Sequence, residues 1–154
     1  NDRKKYKFIF NWVLINKLAV GSSPLNKENI SFLKKKGIKN ILGLCLESEI
    51  EWEQNISKTF CCERIFIPDS KSEVLPNTKD LSRIYNQLIL YLENGATFVH
   101  CFASVERSPL ICILYIMRKF NLEVEDALDY VLSKHYLTNP TNAQLKVIKG
   151  FNNR

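Results

Sequence analysis

A cysteine, an arginine and a serine lie close together at Cys101, Arg107 and Ser108. Five residues separate the cysteine from the arginine, and the apolar stretches on either side predict a strand before this segment and a buried helix after it. Backbone N–H groups in such a loop, above a helix N-terminus, form an anion-binding nest. A guanidinium binds two phosphate oxygens at once, and the same positive field favours the thiolate form of a cysteine. The segment therefore predicts nucleophilic attack of a thiolate on phosphorus.

The residues between Cys101 and Arg107 are the candidates for phosphate binding, together with Arg107 itself. They are Phe102, Ala103, Ser104, Val105 and Glu106. No metal site is expected, because Cys61 and Cys62 are adjacent and no Cys-x-x-C pair occurs. The nest and the guanidinium neutralise the phosphate charge, so the predicted chemistry needs neither a metal nor another cofactor.

From His100 to Ser108 the sequence resembles the cysteine-dependent protein phosphatases, most closely the small dual-specificity type. The similarity covers nearly the whole chain, and it includes Gly21-Ser22, Gly37-Ile38, Ile67-Pro68-Asp69 and Gln144-Leu145. The resemblance implies a phosphocysteine intermediate on Cys101 and binding of the phosphoryl oxygens by Arg107. It also implies a general acid on a mobile loop.

Asp69 matches the family's general acid, since it follows an apolar strand and a proline at the usual separation from the cysteine. Glu73 and Asp80 are the nearest substitutes. By the same resemblance, Ser108 hydrogen-bonds the thiolate as it leaves the intermediate. His100 is expected to hold the loop and tune the thiolate rather than act as a base. The remaining histidine, at 135, is expected to be structural.

Ser104 departs from the family pattern, which usually has glycine at this position, and Glu106 stands beside the arginine. Glycine tolerates backbone conformations that serine does not, so loop geometry or turnover is expected to differ. The same two residues occur together in cell-cycle phosphatases on a rhodanese-like fold, which makes Glu106 an alternative acid. Ser108, Asp69 and two further helices after the signature favour the dual-specificity type.

Three functions follow from these residues. The first is a phosphoprotein phosphatase that hydrolyses phosphotyrosine, and in addition phosphoserine or phosphothreonine, with a phosphorylated protein as its partner. The second is a phosphatase of a non-protein phosphomonoester, although the lysine-free loop counts against inositol polyphosphates. The third is an inactive phosphate-binding pseudophosphatase, which has lost turnover because serine replaces glycine at position 104.

Alternating strands and helices predict an α/β sandwich with a mostly parallel sheet of four to five strands flanked by helices. The predicted strands lie within residues 8–20, 38–45, 62–67 and 97–99. The predicted helices cover residues 26–36, 47–58, 77–94, 108–120, 124–135 and 141–151, with Asn77 capping the third of them. Residues 1–154 are expected to form one catalytic domain and a monomer.

The chain has 154 residues, a formal net charge of +6 and five cysteines. An odd cysteine count in a chain of this size indicates a reducing compartment, and hence the cytoplasm. The longest apolar run, residues 110–117, is too short to span a membrane. Basic residues occur in short runs, Arg3–Lys7 and Lys34–Lys36, and lysine predominates over arginine, so solvated faces are expected rather than a nucleic-acid site. Cys112 is expected to be a core residue, the alternative being a disulfide that protects Cys101.

Overall fold

Five strands form one sheet in the order β1-β2-β5-β3-β4 in the computed structural model, which describes residues 6–153. The strands β2, β5, β3 and β4 run parallel, and β1 pairs antiparallel with β2 at one edge. Most of the basic run Arg3–Lys7 lies outside the described residues. The strands are β1 (Phe10–Leu14), β2 (Leu18–Ser22), β3 (Asn40–Gly43), β4 (Cys61–Arg64) and β5 (Thr97–Cys101).

Within residues 6–153, six helices cover the sheet, and a 3₁₀ turn, Ser70–Ser72, lies between β4 and α3. Asn77 caps α3 as predicted, and its side-chain oxygen accepts a hydrogen bond from the Asp80 amide at 2.8 Å. The helices are α1 (Lys27–Lys35), α2 (Ile56–Thr59), α3 (Thr78–Asn94), α4 (Arg107–Phe120), α5 (Val124–Lys134) and α6 (Asn142–Asn152).

The two faces of the sheet bury alternate residues of the parallel strands, as strand geometry requires. Val20, Val99 and Leu42 pair in register and pack against α3, α4, α5 and α6. The residues one position earlier in each strand pack on the opposite face, against α1 and α2. The predicted α/β architecture with a mostly parallel sheet is therefore confirmed.

The predicted helix at residues 47–58 is wrong over most of its length, because only Ile56–Thr59 is helical. Contacts with Arg64 explain the difference: its guanidinium donates to the carbonyl oxygens of Cys45 at 2.8 Å and Ile50 at 2.7 Å. The Glu53 carboxylate accepts from the Asn55 amide, which gives that part of the backbone a local alternative to helical hydrogen bonds. Tertiary contacts and side-chain bonds thus override the helical pattern here.

The strand-to-helix junction predicted from the sequence is present. Strand β5 ends at Cys101, and α4 begins at Arg107. Helix α4 is buried from Arg107 to Met117, as its almost uniformly apolar sequence predicts. A buried strand and a buried helix therefore fix both ends of the loop at residues 102–106. Across residues 6–153, no helix combines the length and apolar character needed to cross a bilayer.

Candidate active site

The junction between β5 and α4 opens onto a cavity of about 390 Å³. Cys101 lies in its wall and is only 2% exposed, and Arg107 is 4% exposed. Asp69 reaches the same cavity from the segment that follows β4. The structure thus brings together the three residues that the sequence predicts as nucleophile, phosphate ligand and acid. The other lining residues are Glu49, Ser70, Lys71, Phe102, Ala103, Val105 and Glu106.

Ser108 lies behind the cavity wall and is fully buried at the start of α4. Its Oγ is 3.1 Å from Cys101 Sγ, which is hydrogen-bonding distance for a hydroxyl and a sulfur. A hydroxyl at this position can donate to a thiolate and stabilise the charged form. The contact agrees with the role that the resemblance implies for Ser108.

His100 is fully buried beside the start of the loop. The indole N–H of Trp52 donates to His100 Nε2 at 2.6 Å, so the ring proton lies on Nδ1, 3.3 Å from the Cys101 carbonyl oxygen. Burial lowers the pKa of His100 to about 3, and the ring is therefore neutral. Gly43 makes room for this pair, since a Cβ there would lie 2.9 Å from both His100 Nε2 and Trp52 Cζ2.

Ser104 has a positive φ of 62°, in the left-handed region that favours glycine. A second histidine supports this backbone conformation. His135 Nε2 lies 2.6 Å from the Ser104 carbonyl oxygen and 3.0 Å from its Oγ. The side-chain amide of Asn11 donates to His135 Nδ1 at 2.9 Å, which leaves the ring proton on Nε2 for the serine carbonyl.

Arg107 forms a two-bond ion pair with Glu49, a residue that the sequence analysis missed. Arg107 Nη1 and Nη2 donate to the two Glu49 carboxylate oxygens at 3.1 Å and 2.9 Å, and Nη1 also lies 3.4 Å from the Ile67 carbonyl oxygen. These bonds use three of the five N–H donors of a guanidinium. The Nε–H and the second Nη2–H, on the neighbouring edge, remain as a fork for two phosphate oxygens.

The ion pair also fixes the charge of Glu49. Partial burial alone would raise the pKa of Glu49, but hydrogen bonds from Arg107 and from the Leu46 amide hold it below its usual value. Glu49 therefore remains a carboxylate beside the guanidinium. No local sequence motif indicates the role of Glu49, because its partner Arg107 is distant in sequence.

Asp69 is half-buried at the start of the 3₁₀ turn, where its carboxylate accepts from the Lys71 amide at 3.0 Å. Its substitutes do not share the cavity: Glu73 is exposed with a φ of 59°, and Asp80 lies in the first turn of α3. Glu106, the alternative acid, also lines the cavity, but its carboxylate accepts hydrogen bonds from Ser70 and Gln144.

The remaining cysteines lie outside the cavity lining, and all five are free. Cys112 is fully buried in the core under the sheet, and burial raises the pKa of its thiol. Among residues 6–153, no cluster of three or more His, Cys, Asp or Glu side chains is arranged to hold a metal ion.

Several known proteins resemble this chain. A probable dual specificity protein phosphatase of Dictyostelium discoideum is 30% identical over 136 residues, covering 86% of this chain and 32% of the relative. Human dual specificity protein phosphatase 9 is 30% identical over 132 residues, covering 82% of this chain and 32% of the relative. The chain thus spans about a third of the length of these curated relatives.

Solved structures share the fold at lower identity. The human tyrosine phosphatase-like serine/threonine/tyrosine-interacting protein superimposes with a TM-score of 0.81 at 23% identity, over 94% of this chain and 95% of that one. The active form of Tk-PTP gives a TM-score of 0.81 at 19% identity, over 94% and 97% of the two chains. These similarities confirm a protein tyrosine phosphatase-like fold rather than the rhodanese-like alternative.

The profile of the family described as "Dual specificity phosphatase, catalytic domain" matches residues 20–154. This match includes the strand β5, the loop and the helix α4 that build the cavity, together with the segment that carries Asp69. The chain belongs to the dual specificity phosphatase catalytic domain family.

Proposed function

We propose that this chain is a phosphoprotein phosphatase that hydrolyses phosphotyrosine, and in addition phosphoserine and phosphothreonine, through a phosphocysteine intermediate. The observation that carries the proposal is the meeting of Cys101, Arg107 and Asp69 in one cavity. Cys101 ends a buried strand and Arg107 begins a buried helix, so the packing of these two elements holds both residues in place.

The reaction has two steps. Cys101 Sγ attacks phosphorus as the bond to the leaving oxygen breaks, and Asp69 gives its proton to that oxygen. Water then attacks the phosphocysteine and gives a proton to Asp69, while the sulfur–phosphorus electron pair returns to Sγ. The hydroxyl of Ser108, 3.1 Å away, donates to the departing thiolate. The products are the dephosphorylated alcohol or phenol and inorganic phosphate.

The negative charge of the phosphoryl group in the transition state is stabilised by the loop and by Arg107. The free Nε–H and Nη2–H edge of Arg107 binds two phosphoryl oxygens, and the backbone N–H groups of residues 102–106 bind the others. This arrangement acts by positioning and by electrostatics, so the proposed chemistry uses no cofactor.

The preference for a protein substrate rests on the rim of the cavity. Phe102 is 40% exposed there, and its ring lies edge-on to Tyr6 with the ring centroids 6.2 Å apart. An exposed aromatic wall suits the ring of a phosphotyrosine. The loop carries no lysine, and Lys71 is the single lysine of the described lining, a low positive charge for a polyphosphorylated lipid headgroup.

The proposal extends to the organisation of the chain. Residues 1–154 act as one catalytic domain and as a monomer. The nucleophile must be a free thiol, so the enzyme works in a reducing compartment such as the cytoplasm.

Kinetics on four substrates test the function. The purified chain is assayed with an aryl phosphate, a phosphotyrosine peptide, a phosphoserine/phosphothreonine peptide and a phosphoinositide. We expect vanadate-sensitive turnover, a higher kcat/KM on phosphotyrosine than on the phosphoinositide, and loss of turnover in Cys101→Ser. Cys61→Ser is the matched control, because Cys61 is exposed on β4 and lies outside the cavity lining.

Two outcomes would count against the proposal. Faster turnover of the phosphoinositide would assign a non-protein substrate. A folded wild-type chain that binds vanadate without any turnover would instead assign the pseudophosphatase function.

A further inference from the structure

We propose that Glu106 is a positioning residue that clasps the acid loop, residues 68–73, to the phosphate-binding loop, and that it is not itself the acid. This inference rests on the proposed function, because it assigns how Asp69 is held over the leaving oxygen. It differs from the alternative in the sequence analysis, in which Glu106 is itself the acid.

Both oxygens of the Glu106 carboxylate bind the residue that follows the acid. Oε1 accepts from the Ser70 amide at 2.9 Å, and Oε2 accepts from the Ser70 hydroxyl at 2.5 Å. Such a two-point contact fixes both the position and the orientation of the Ser70 backbone. Since Asp69 is the next residue back, its main chain is fixed as well.

Glu106 has its own anchor on the last helix. Gln144 Nε2 donates to Glu106 Oε1 at 3.3 Å, while Gln144 Oε1 accepts from the Thr141 amide at 2.8 Å in the capping box of α6. The capping box settles the orientation of the side-chain amide, so its nitrogen faces Glu106. Gln144 is 2% exposed, so the anchor for Glu106 is buried, while Glu106 itself is half-buried.

The same bonds argue against Glu106 as an acid. Partial burial would raise the pKa of Glu106, but hydrogen bonds from the Ser70 hydroxyl and amide and from Gln144 lower it below its usual value. A general acid must carry its proton before the reaction, and these donors all favour the ionised form. Donors from the acid loop and from α6 engage the Glu106 carboxylate, which suits a positioning role, and proton transfer stays with Asp69 as in the proposed function.

The clasp has a specific kinetic consequence. Protonation of the leaving oxygen matters most when the leaving group is a strong base, and least for an activated phenol. Losing the clasp should therefore slow the hydrolysis of phenyl phosphate by about 10²-fold in kcat/KM, within the range expected for lost acid catalysis. For an activated nitrophenyl phosphate the loss should be only a few-fold.

Four variants separate the alternatives: Glu106→Ala, Glu106→Gln, Asp69→Asn and the control Glu63→Ala, an exposed glutamate on β4. Glutamine has an oxygen for the Ser70 amide and an NH₂ group that can donate to the Ser70 hydroxyl, so it should restore most of the rate that Glu106→Ala loses. Asp69→Asn should show the same dependence on leaving group as Glu106→Ala. Glu63→Ala should behave as the wild type.

Hydrogen exchange provides a readout that needs no turnover. The Ser70 amide should exchange faster in Glu106→Ala than in the wild type, and its protection should largely return in Glu106→Gln. This result would support the clasp even if the wild type proved inactive, in which case the proposed function alone would fail.

Three results would overturn the clasp. The first is a Glu106→Gln loss as large as that of Asp69→Asn, which would make Glu106 an acid. The second is an equal loss of kcat/KM in Glu106→Ala for all leaving groups, which would mean that Glu106 acts through phosphate binding. The third is unchanged Ser70 exchange in Glu106→Ala.

Discussion

At the scale of single residues, Ser104 shows how this loop accommodates an unfavourable backbone. A serine with a φ of 62° is strained relative to glycine, by roughly 1–2 kcal/mol. The carbonyl oxygen of this residue accepts from His135 Nε2, and the hydroxyl lies close enough to share that contact. The histidine thus supports a conformation that glycine would adopt unaided.

The effect of a substitution at Ser104 on stability and activity should depend on whether the new residue tolerates a positive φ, rather than on its polarity. Ser104→Gly relieves the strain and keeps the carbonyl bond to His135, so we expect stability within about 1 kcal/mol of wild type and retained turnover. Ser104→Val places a β-branched side chain at a fully buried position with positive φ, and should cost about 2–3 kcal/mol and most of the activity. Urea unfolding and aryl phosphate hydrolysis measure both effects. Equal stability of the two variants would contradict the argument.

At the scale of elements, the phosphate-binding arginine depends on the segment between β3 and α2. Arg107 begins α4, yet its fork is fixed by Glu49, which lies in an irregular stretch. That stretch also supplies Trp52, the hydrogen-bond donor to His100. One irregular segment therefore supports the loop at two points.

Removing Glu49 should weaken both stability and substrate binding. In Glu49→Ala the buried guanidinium loses its carboxylate partner, and we expect the free energy of unfolding to fall by about 1–3 kcal/mol. The KM for an aryl phosphate should rise about tenfold, since Arg107 no longer has a fixed orientation, with a smaller change in kcat. Glu47→Ala, an exposed change in the same segment, is the matched control. An unchanged KM in Glu49→Ala would show that Arg107 is positioned without it.

The sequence predicts most of the elements, because apolar periodicity and caps such as Asn77 are local signals. It also predicts the loop residues and Asp69, since a short motif and a resemblance carry them. The helix predicted at residues 47–58 is wrong because Arg64 binds carbonyl oxygens in and beside that segment. Glu49 and Trp52 were missed for the same reason: each acts through a contact with a residue distant in sequence.

At the scale of the whole molecule, the protein has two histidines, and both are buried supports of the catalytic loop. His100 accepts from Trp52, and His135 joins the loop to Asn11 on β1. Burial lowers the pKa of each, so the folded state favours the neutral form of both rings. Protonation of these histidines at low pH should therefore both destabilise the fold and disturb the catalytic loop.

The stability of the chain should fall as pH drops below about 6.5. An unfolded histidine takes up a proton near that pH, whereas the pKa of folded His100 is about 3, so the unfolded state binds more protons in between. Linkage gives a loss of about 1.5 kcal/mol from His100 alone between pH 6.5 and 5.0. Urea unfolding followed by tryptophan fluorescence at both pH values measures it, and His100→Gln should show a correspondingly smaller loss. If the variant and the wild type lose the same free energy over this interval, His100 is not the neutral, buried support inferred from its contacts.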